Sequence, residues 1–511
     1  MPGYPRPRTV PPRALSDLAE LLGADIGGLA PDAGPITDLW LTGITHASNE
    51  VRPGDLFAAL PGAKVHGARF VPDAVRAGAL AVLTDPEGAA LAVDAGLPVV
   101  VVPDARAGLG PAAAAIYDRP TEKLTVLGIT GTAGKTSTAY LIESGLRAAG
   151  RTAGLIGTVE TRLGDFVVDS VRTTPEASDL QALFAVAVED GVSAVAMEVS
   201  SHALALGRVD GTTFEVGGYT NFGTDHLDFH ASIEDYFAAK AMLFDGRCRY
   251  EIINLDDEAL QPLLKPATIT YSAYGDPAAT WRAEQVEPAG FGQRFRALGP
   301  GGLALDAAVA LPGRHNVANA LLALATLVAA GVEAEVAAIG IAACQGVPGR
   351  LERVAAPGPV IGVVDYAHKP DAIVAALAAL RGATTGTGRL ICVIGAGGDR
   401  DTGKRPVMGR AAAEGADLVI VTDDNPRSED PGAIRAQVRA GVEAVSGTEV
   451  IEVPGRREAI AEAVARSGPG DVVALLGKGH ERGQEIAGAT HPFDDRVELA
   501  RALAARFGGT P

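Results

Sequence analysis

The sequence predicts an α/β fold of three domains, with a mainly parallel sheet in the central one. Three observations carry this. Strand-length apolar runs alternate with Ala-rich helical stretches, a rhythm that favours parallel sheets. In the last third, polar residues follow the strand-like runs directly, at Asp365, Asp399, Asp424 and Lys478, and open α/β sheets bind ligands at the carboxyl ends of their strands. The length of 511 residues fits roughly three domains of about 150 residues each.

The elements follow in order. Residues 1–121 form a first domain, in which "GALAVLTD" and "LPVVVVPDA" read as short strands between helices. Its first stretch, 1–12, is charged and Pro-rich and reads as a flexible tail. Residues 122–348 form the central domain. It opens on the strand "LTVLGITG", a glycine loop and the helix "TSTAYLIESGLRAAG". Strands "VSAVAMEVS" and "EIINLD" come next, and the helices "NVANALLALATLVAAG" and "EAEVAAIGIAAC" close the domain. Residues 349–511 carry strands "PVIGVVDYA", "RLICVIGAG", "DLVIVTDDN" and "DVVALLGKG", a second open, Rossmann-like sheet.

Composition excludes several classes. A net charge of −18 disfavours nonspecific nucleic-acid binding, while leaving room for a few placed cations around a small anion. Cys248, Cys344 and Cys392 lie far apart, so neither a zinc knuckle nor a disulfide framework is expected. The amino-terminal stretch lacks the apolar core of a signal peptide. The longest apolar run, Ala320 to Val332, is too short to cross a bilayer. A cytoplasmic monomer without membrane insertion is expected.

"GITGTAGKTSTAY" (Gly128 to Tyr140) reads as a phosphate loop, although Ile129 stands where a Walker A loop has its first glycine. Gly131 and Gly134 let backbone N–H groups turn toward a phosphate, and Thr132, Ala133 and Ser137 complete the expected ATP-binding loop. Lys135 can reach the β- and γ-phosphates, and the Thr136 hydroxyl suits Mg²⁺.

This loop resembles that of the Mur ligases, which build the peptide of bacterial cell-wall precursors. "MEVSSHAL", "TNFGTDHLDFH" and "YFAAKAMLF" resemble the central domain of that family. "GRHNVANALLA" and "DYAHKPDA" resemble its domain junction, and "GAGGDRDTGKRPVMG", "DDNPRSEDP" and "GKGHE" its last domain. The resemblance spans nearly the whole chain. It implies an ATP-dependent ligase that phosphorylates a carboxylate and lets an amine displace the phosphate. The implied reaction adds diaminopimelate to the D-Glu of UDP-MurNAc-L-Ala-D-Glu.

The resemblance also implies site residues. Thr136, Glu198, His226 and Lys240 would hold Mg²⁺, with Lys240 carbamylated by CO₂ because an ammonium cannot bind a cation. Asn316, Arg350 and Asp365 would join the loop in holding ATP. Ser48, Thr173, Thr174, Ser200 and Arg208 would hold the nucleotide-sugar dipeptide in the first two domains. Arg400, Asp424, Asn425, Pro426, Arg427, Gly477 and Glu481 would hold diaminopimelate, with Arg427 pairing with its distal carboxylate. On local grounds alone "DNPR" reads equally well as an Asx-Pro turn. Ala47, Asn49 and Leu206 depart from the family pattern near the nucleotide-sugar site, and Lys369 stands where a threonine is more usual. Those departures leave an alternative: a ligase of the same chemistry joining an amino acid to another carboxylate in natural-product biosynthesis.

Overall fold

A computed structural model describes residues 4–27, 39–94, 96–164 and 166–508. They form two compact units. The first comprises Met1–Ser272, Asp276–Trp281 and Leu322–Gly340, and the second Ala273–Gly275, Arg282–Leu321 and Ile341–Pro511.

Among the described residues the first unit contains a two-stranded sheet, Arg13–Ala14 with Trp40–Leu41, and two larger ones. In the smaller of these two, Gly43–Thr45, Asp55–Ala58, Ala81–Thr84 and Val99–Val101 run parallel, and Asp25–Gly27 pairs antiparallel at the edge. Leu56, Leu83 and Val100 are fully buried under the helix Ala105–Ile116, whose Ala112 and Ala113 permit close packing. Ala177 and Ala182 of the helix Ala177–Glu189 join the same core, so the first two expected segments share a hydrophobic contact.

The larger sheet centres on Thr125–Thr130, flanked in parallel by Ala194–Glu198 and Phe214–Tyr219. Ala153–Ile156 extends it on one side, and Cys248–Asn254 then Ile269–Ser272 on the other. Both faces are covered, which is why these strands read as unbroken apolar runs. The hairpin Glu160–Leu163 and Phe166–Asp169 adds an antiparallel edge.

The second unit has a six-stranded sheet in which Ile361–Asp365, Val472–Leu476, Leu390–Ile394, Leu418–Val421 and Glu449–Glu452 are parallel. Glu352–Arg353 is its antiparallel edge. An antiparallel meander, Trp281–Ala289 from Arg282 onward, Gly292–Leu298 and Ala304–Val309, also belongs to this unit. Beneath the carboxyl end of Val472–Leu476, the fully buried Arg456 and Asp495 pair at 2.6 Å, and Arg456 Nη2 donates to Leu476 O at 3.1 Å. A charge pair buried this completely is held by geometry on every side.

Within the stretch expected as a flexible tail, residues 4–12 make specific contacts. Arg6 donates to Asp55 at 2.6 Å and to Glu50 O at 3.0 Å, while the amides of Arg8 and Thr9 both donate to Glu189 at 2.9 Å. The physical reason is charge: two arginines meet acidic partners on separate elements of the first unit. Residues 1–3 lie outside the described residues.

Candidate active site

The phosphate loop is held open by its neighbours. Gly131 has φ +138°, and a Cβ there would sit 1.8 Å from Thr220 Oγ1. Gly134, at φ +86°, begins the helix Lys135–Ala148. Only glycine adopts both turns without strain. Thr220 Oγ1 donates to Ala133 O at 2.6 Å, and Asn221 Oδ1 accepts from Ala133 N at 3.0 Å. The first two residues of "TNFGTDHLDFH" thus brace the loop. Lys135 Nζ lies over it, donating to Gly131 O at 2.7 Å and Thr132 O at 3.1 Å.

Glu198, only 1% exposed at the end of its strand, is the hub. Its Oε2 accepts from Thr136 Oγ1 and Thr158 Oγ1, both at 3.0 Å, and its Oε1 accepts from Thr158 N at 2.7 Å. Thr158 Oγ1 contacts Thr173 Oγ1 at 3.1 Å. Thr174 Oγ1 donates to Glu198 O at 2.9 Å and accepts from Ser200 N at 3.1 Å. Glu198 therefore connects the loop to Thr158 and Thr173 through its carboxylate, and to Thr174 and Ser200 through its backbone carbonyl. Thr158 is a link that sequence reasoning missed.

Lys240 is buried and donates to Gly131 O at 2.8 Å, with its Nζ 4.7 Å from the Tyr236 ring centre. His226 is exposed, has φ +51°, and faces Asp225 at 3.3 Å. A positive φ in a non-glycine residue marks a backbone held by its surroundings. Its ring stands edge-on to His202 at 4.6 Å, within a group that includes Phe229, His230 and Tyr236. Burial lowers the pKa of His202, and burial followed by the nearby Lys240 lowers that of His230. Among the described residues no three His, Cys, Asp or Glu side chains converge as metal ligands. Of the expected metal set, Thr136 and Glu198 meet each other. Lys240 and His226 engage other groups.

Beyond these contacts lies a cluster of charge. Glu176, buried, accepts from Arg208 Nη2 at 2.9 Å and Arg106 Nη1 at 3.3 Å, with Arg172 at 3.9 Å. Arg208 also reaches Thr174 O at 3.4 Å. Ser48 opens a short 3₁₀ turn, Ser48–Glu50, and His46 Nδ1 lies 3.0 Å from Ser178 Oγ. Asp179 is partly buried near Glu50 and Glu176, and desolvation first, then these carboxylates, push its pKa up to about 7. An acid raised in this way holds its proton more tightly when folded, so stability is lost as pH climbs from the unfolded value to about 7. Asp179→Asn is therefore expected to raise stability at pH 8 by about 1–2 kcal/mol. The gain should vanish below pH 4, and thermal melts across pH 4–8 read it directly.

The second unit presents another constellation. After Leu418–Val421, Asn425 Nδ2 donates to Glu481 Oε2 at 2.9 Å. Lys478, fully buried, donates to Asn425 Oδ1 at 3.0 Å and Glu481 Oε2 at 3.2 Å, and lies 3.6 Å from Asp424. Gly477 has φ +114°, and a Cβ there would strike Asp424 Oδ2 at 2.5 Å. Arg427, at φ +52°, pairs through Nε with Glu485 at 2.9 Å and through Nη1 with Gly398 O at 2.6 Å. A Cβ on Gly397 would lie 3.0 Å from Arg427 Nη1 and 4.0 Å from Arg400 Cγ, so the two arginines border one glycine. Pro426 is buried, and a Cβ on Gly398 would strike its carbonyl oxygen at 1.9 Å. Lys478 and Gln484, which donates to Asp424 O at 2.6 Å, were not among the expected site residues. "GKGHE" contained the signal for the first.

The other residues expected to hold ATP are tightly engaged. Asp365 accepts from Leu351 N at 2.7 Å and Ala367 N at 2.8 Å, and burial raises its pKa. The Arg350 guanidinium lies 4.6 Å from the Tyr366 ring centre. Asn316 donates to Pro312 O at 2.8 Å and accepts from Asn319 at 3.0 Å.

Comparison with known proteins agrees across the chain. Three family models match: the Mur ligase family catalytic domain over 41–117, the Mur ligase middle domain over 129–327, and the Mur ligase glutamate ligase domain over 349–479. A Streptomyces coelicolor protein named UDP-N-acetylmuramoyl-L-alanyl-D-glutamate–2,6-diaminopimelate ligase is 53% identical, with 98% of each chain covered. A Corynebacterium glutamicum protein of the same name is 47% identical over 88% of this chain and 89% of its own. A solved structure of a ligase of that name is 32% identical, with TM-score 0.69, covering 94% of this chain and 97% of that one. No helix among the described residues is long and apolar enough to cross a membrane.

Proposed function

The chain belongs to the Mur ligase family, and from that premise we propose that it joins diaminopimelate to the γ-carboxyl of D-Glu in UDP-MurNAc-L-Ala-D-Glu. It is an ATP-dependent acid–amino-acid ligase. The observation that carries the substrate reading is the 53% identity, over 98% of both chains, to a ligase named for that reaction. The departures at Ala47, Asn49 and Leu206 do not outweigh it. The enzyme is proposed to act as a cytoplasmic monomer.

In the reaction, a γ-carboxylate oxygen attacks the γ-phosphorus of ATP and ADP leaves. The amine then attacks the acyl phosphate carbon, inorganic phosphate departs, and the nitrogen sheds a proton. Such transfer needs placement and charge neutralisation more than covalent help. The first unit supplies the activating half. Gly131, Thr132, Ala133, Gly134 and Ser137 present backbone amides to the phosphates, and Lys135 neutralises them. Thr136 and Glu198 are paired hard oxygen donors, a set that suits Mg²⁺. Bound there, Mg²⁺ would neutralise charge on the transferring phosphoryl group. Lys240 as an ammonium does not suit a cation, but as a CO₂-derived carbamate it would, with His226. Thr173, Thr174, Ser200, Arg208 and Ser48 hold the nucleotide-sugar dipeptide.

The second unit supplies the amine half. Asp424, Asn425, Gly477 and Glu481 form the polar wall for the amino acid, and Arg400 and Arg427 take its carboxylates. The test is an assay of phosphate release with ATP, Mg²⁺ and the dipeptide nucleotide against meso-diaminopimelate, LL-diaminopimelate and lysine. Release with a diaminopimelate and not with lysine is expected. No release with any of them overturns the proposal.

A further inference from the structure

Arg106 and Arg172 are assigned to no substrate under Proposed function, yet they share a carboxylate with Arg208. Three guanidinium groups surround Glu176, at 2.9 Å, 3.3 Å and 3.9 Å for Arg208, Arg106 and Arg172. Glu176 is the carboxylate that all three share, with Glu50 and Asp179 nearby, and Arg208 reaches on to Thr174 O. Its members come from different elements. Arg106 begins the helix Ala105–Ile116 of the small sheet's layer, whereas Arg208 follows the helix Ser201–Ala205.

The geometry is that of a brace. Glu176 Oε1 faces Arg208, and Oε2 accepts from Arg106. Arg106 Nη1 also donates to Leu206 O at 3.3 Å, two residues before Arg208. Arg106 thus fixes Arg208 from both the side chain and the main chain. Arg208 Nε is buried and has no hydrogen-bond partner among the described residues. A buried donor on a cation, left unmatched, is an incentive for an anion to complete the set.

The position of that anion follows from the reaction. The reacting γ-carboxylate must lie by the phosphate loop, where Thr136 and Thr158 meet on Glu198. From Glu198 the contacts lead through its backbone carbonyl to the Thr174 hydroxyl, and the Thr174 carbonyl accepts from Arg208. The glutamyl residue has a second carboxylate at the other end of its short side chain. We infer that Arg106 is a positioning residue which, through Glu176, presents Arg208 to the non-reacting α-carboxylate of the acceptor's terminal glutamate. The enzyme then selects acceptors whose α-carboxylate is free, and the inference rests on the acceptor assigned under Proposed function.

Calorimetry without turnover and steady-state assays test it together. The ligands are the dipeptide nucleotide and its analogue with the α-carboxylate converted to an amide. The unaltered protein should prefer the free acid, and Arg106→Gln should weaken acid binding about tenfold. Binding of the amide should change little, so the preference narrows by the same factor. The KM for ATP and for diaminopimelate should stay within about twofold, and Arg106→Lys should recover part of the loss. The inference is overturned if Arg106→Gln leaves acid binding unchanged. It is equally overturned if acid and amide weaken alike, the mark of a merely structural role. Failure of the unaltered protein to bind the acid overturns the acceptor assignment itself.

Discussion

Replacing Glu198 by Gln is expected to lower phosphate release in the complete reaction by about 10³-fold. The side chain accepts from Thr136, from the Thr158 hydroxyl and from the Thr158 amide. It is 1% exposed, so its charge acts in a medium where it is poorly screened. Gln keeps the volume and one carbonyl acceptor, so Thr158 N retains a partner and the fold should persist. What is lost is the negative charge beside the loop. If that charge anchors Mg²⁺ with Thr136, ATP binds within a few-fold of normal in the variant while turnover collapses. Equilibrium ATP binding and phosphate release, measured on one preparation with a thermal melt, separate the effects. A variant that turns over at a tenth of the normal rate or faster would remove Glu198 from the metal site and leave it as the brace of Thr158.

The fold was legible where burial is two-sided. "LTVLGITG", "VSAVAMEVS", "RLICVIGAG" and "DVVALLGKG" are apolar throughout because helices cover both faces, and each is a parallel strand in the structure. The meander was not legible. Trp281–Ala289 mixes Trp281 and Ala283 inside with Arg282, Glu284 and Glu287 outside, and a register shift between Glu284 and Glu287 breaks its alternation. The strand Glu449–Glu452 was missed because its two ends are glutamates at a sheet edge.

Site residues divide in the same way. The loop, Glu198 and the residues around Arg427 lie in contiguous motifs whose chemistry can be read locally. Thr158 stands alone after its strand and matters only because the chain returns to Glu198. Arg106 and Glu176 are 70 residues apart, and no spacing rule links them. The amino-terminal arm is a similar case: its arginines look like solvated charge until Asp55 and Glu189 are placed opposite them.

Arg427→Ala is expected to lower kcat/KM for diaminopimelate by about 10²–10³-fold while leaving the KM for ATP and for the dipeptide nucleotide nearly unchanged. The guanidinium is held on two sides, by Glu485 through Nε and by Gly398 O through Nη1. Among the described residues nothing accepts from Nη2. A residue pinned this way, at φ +52°, offers a pre-set donor edge rather than a mobile charge, and little ordering remains for the ligand to impose. Lysine has no distal carboxylate to lose, so its low rate should not move. The ratio of the two amines therefore falls by the same factor as diaminopimelate alone. That ratio distinguishes a grip on the ligand from a role in shaping the loop: a shaping role would depress both amines equally. Glu485→Gln serves as the companion variant. It removes the competing carboxylate while keeping an acceptor for Nε, so diaminopimelate should bind as well as before or better. A loss there comparable to that of Arg427→Ala would mean that the ion pair, and not a free guanidinium edge, builds the pocket.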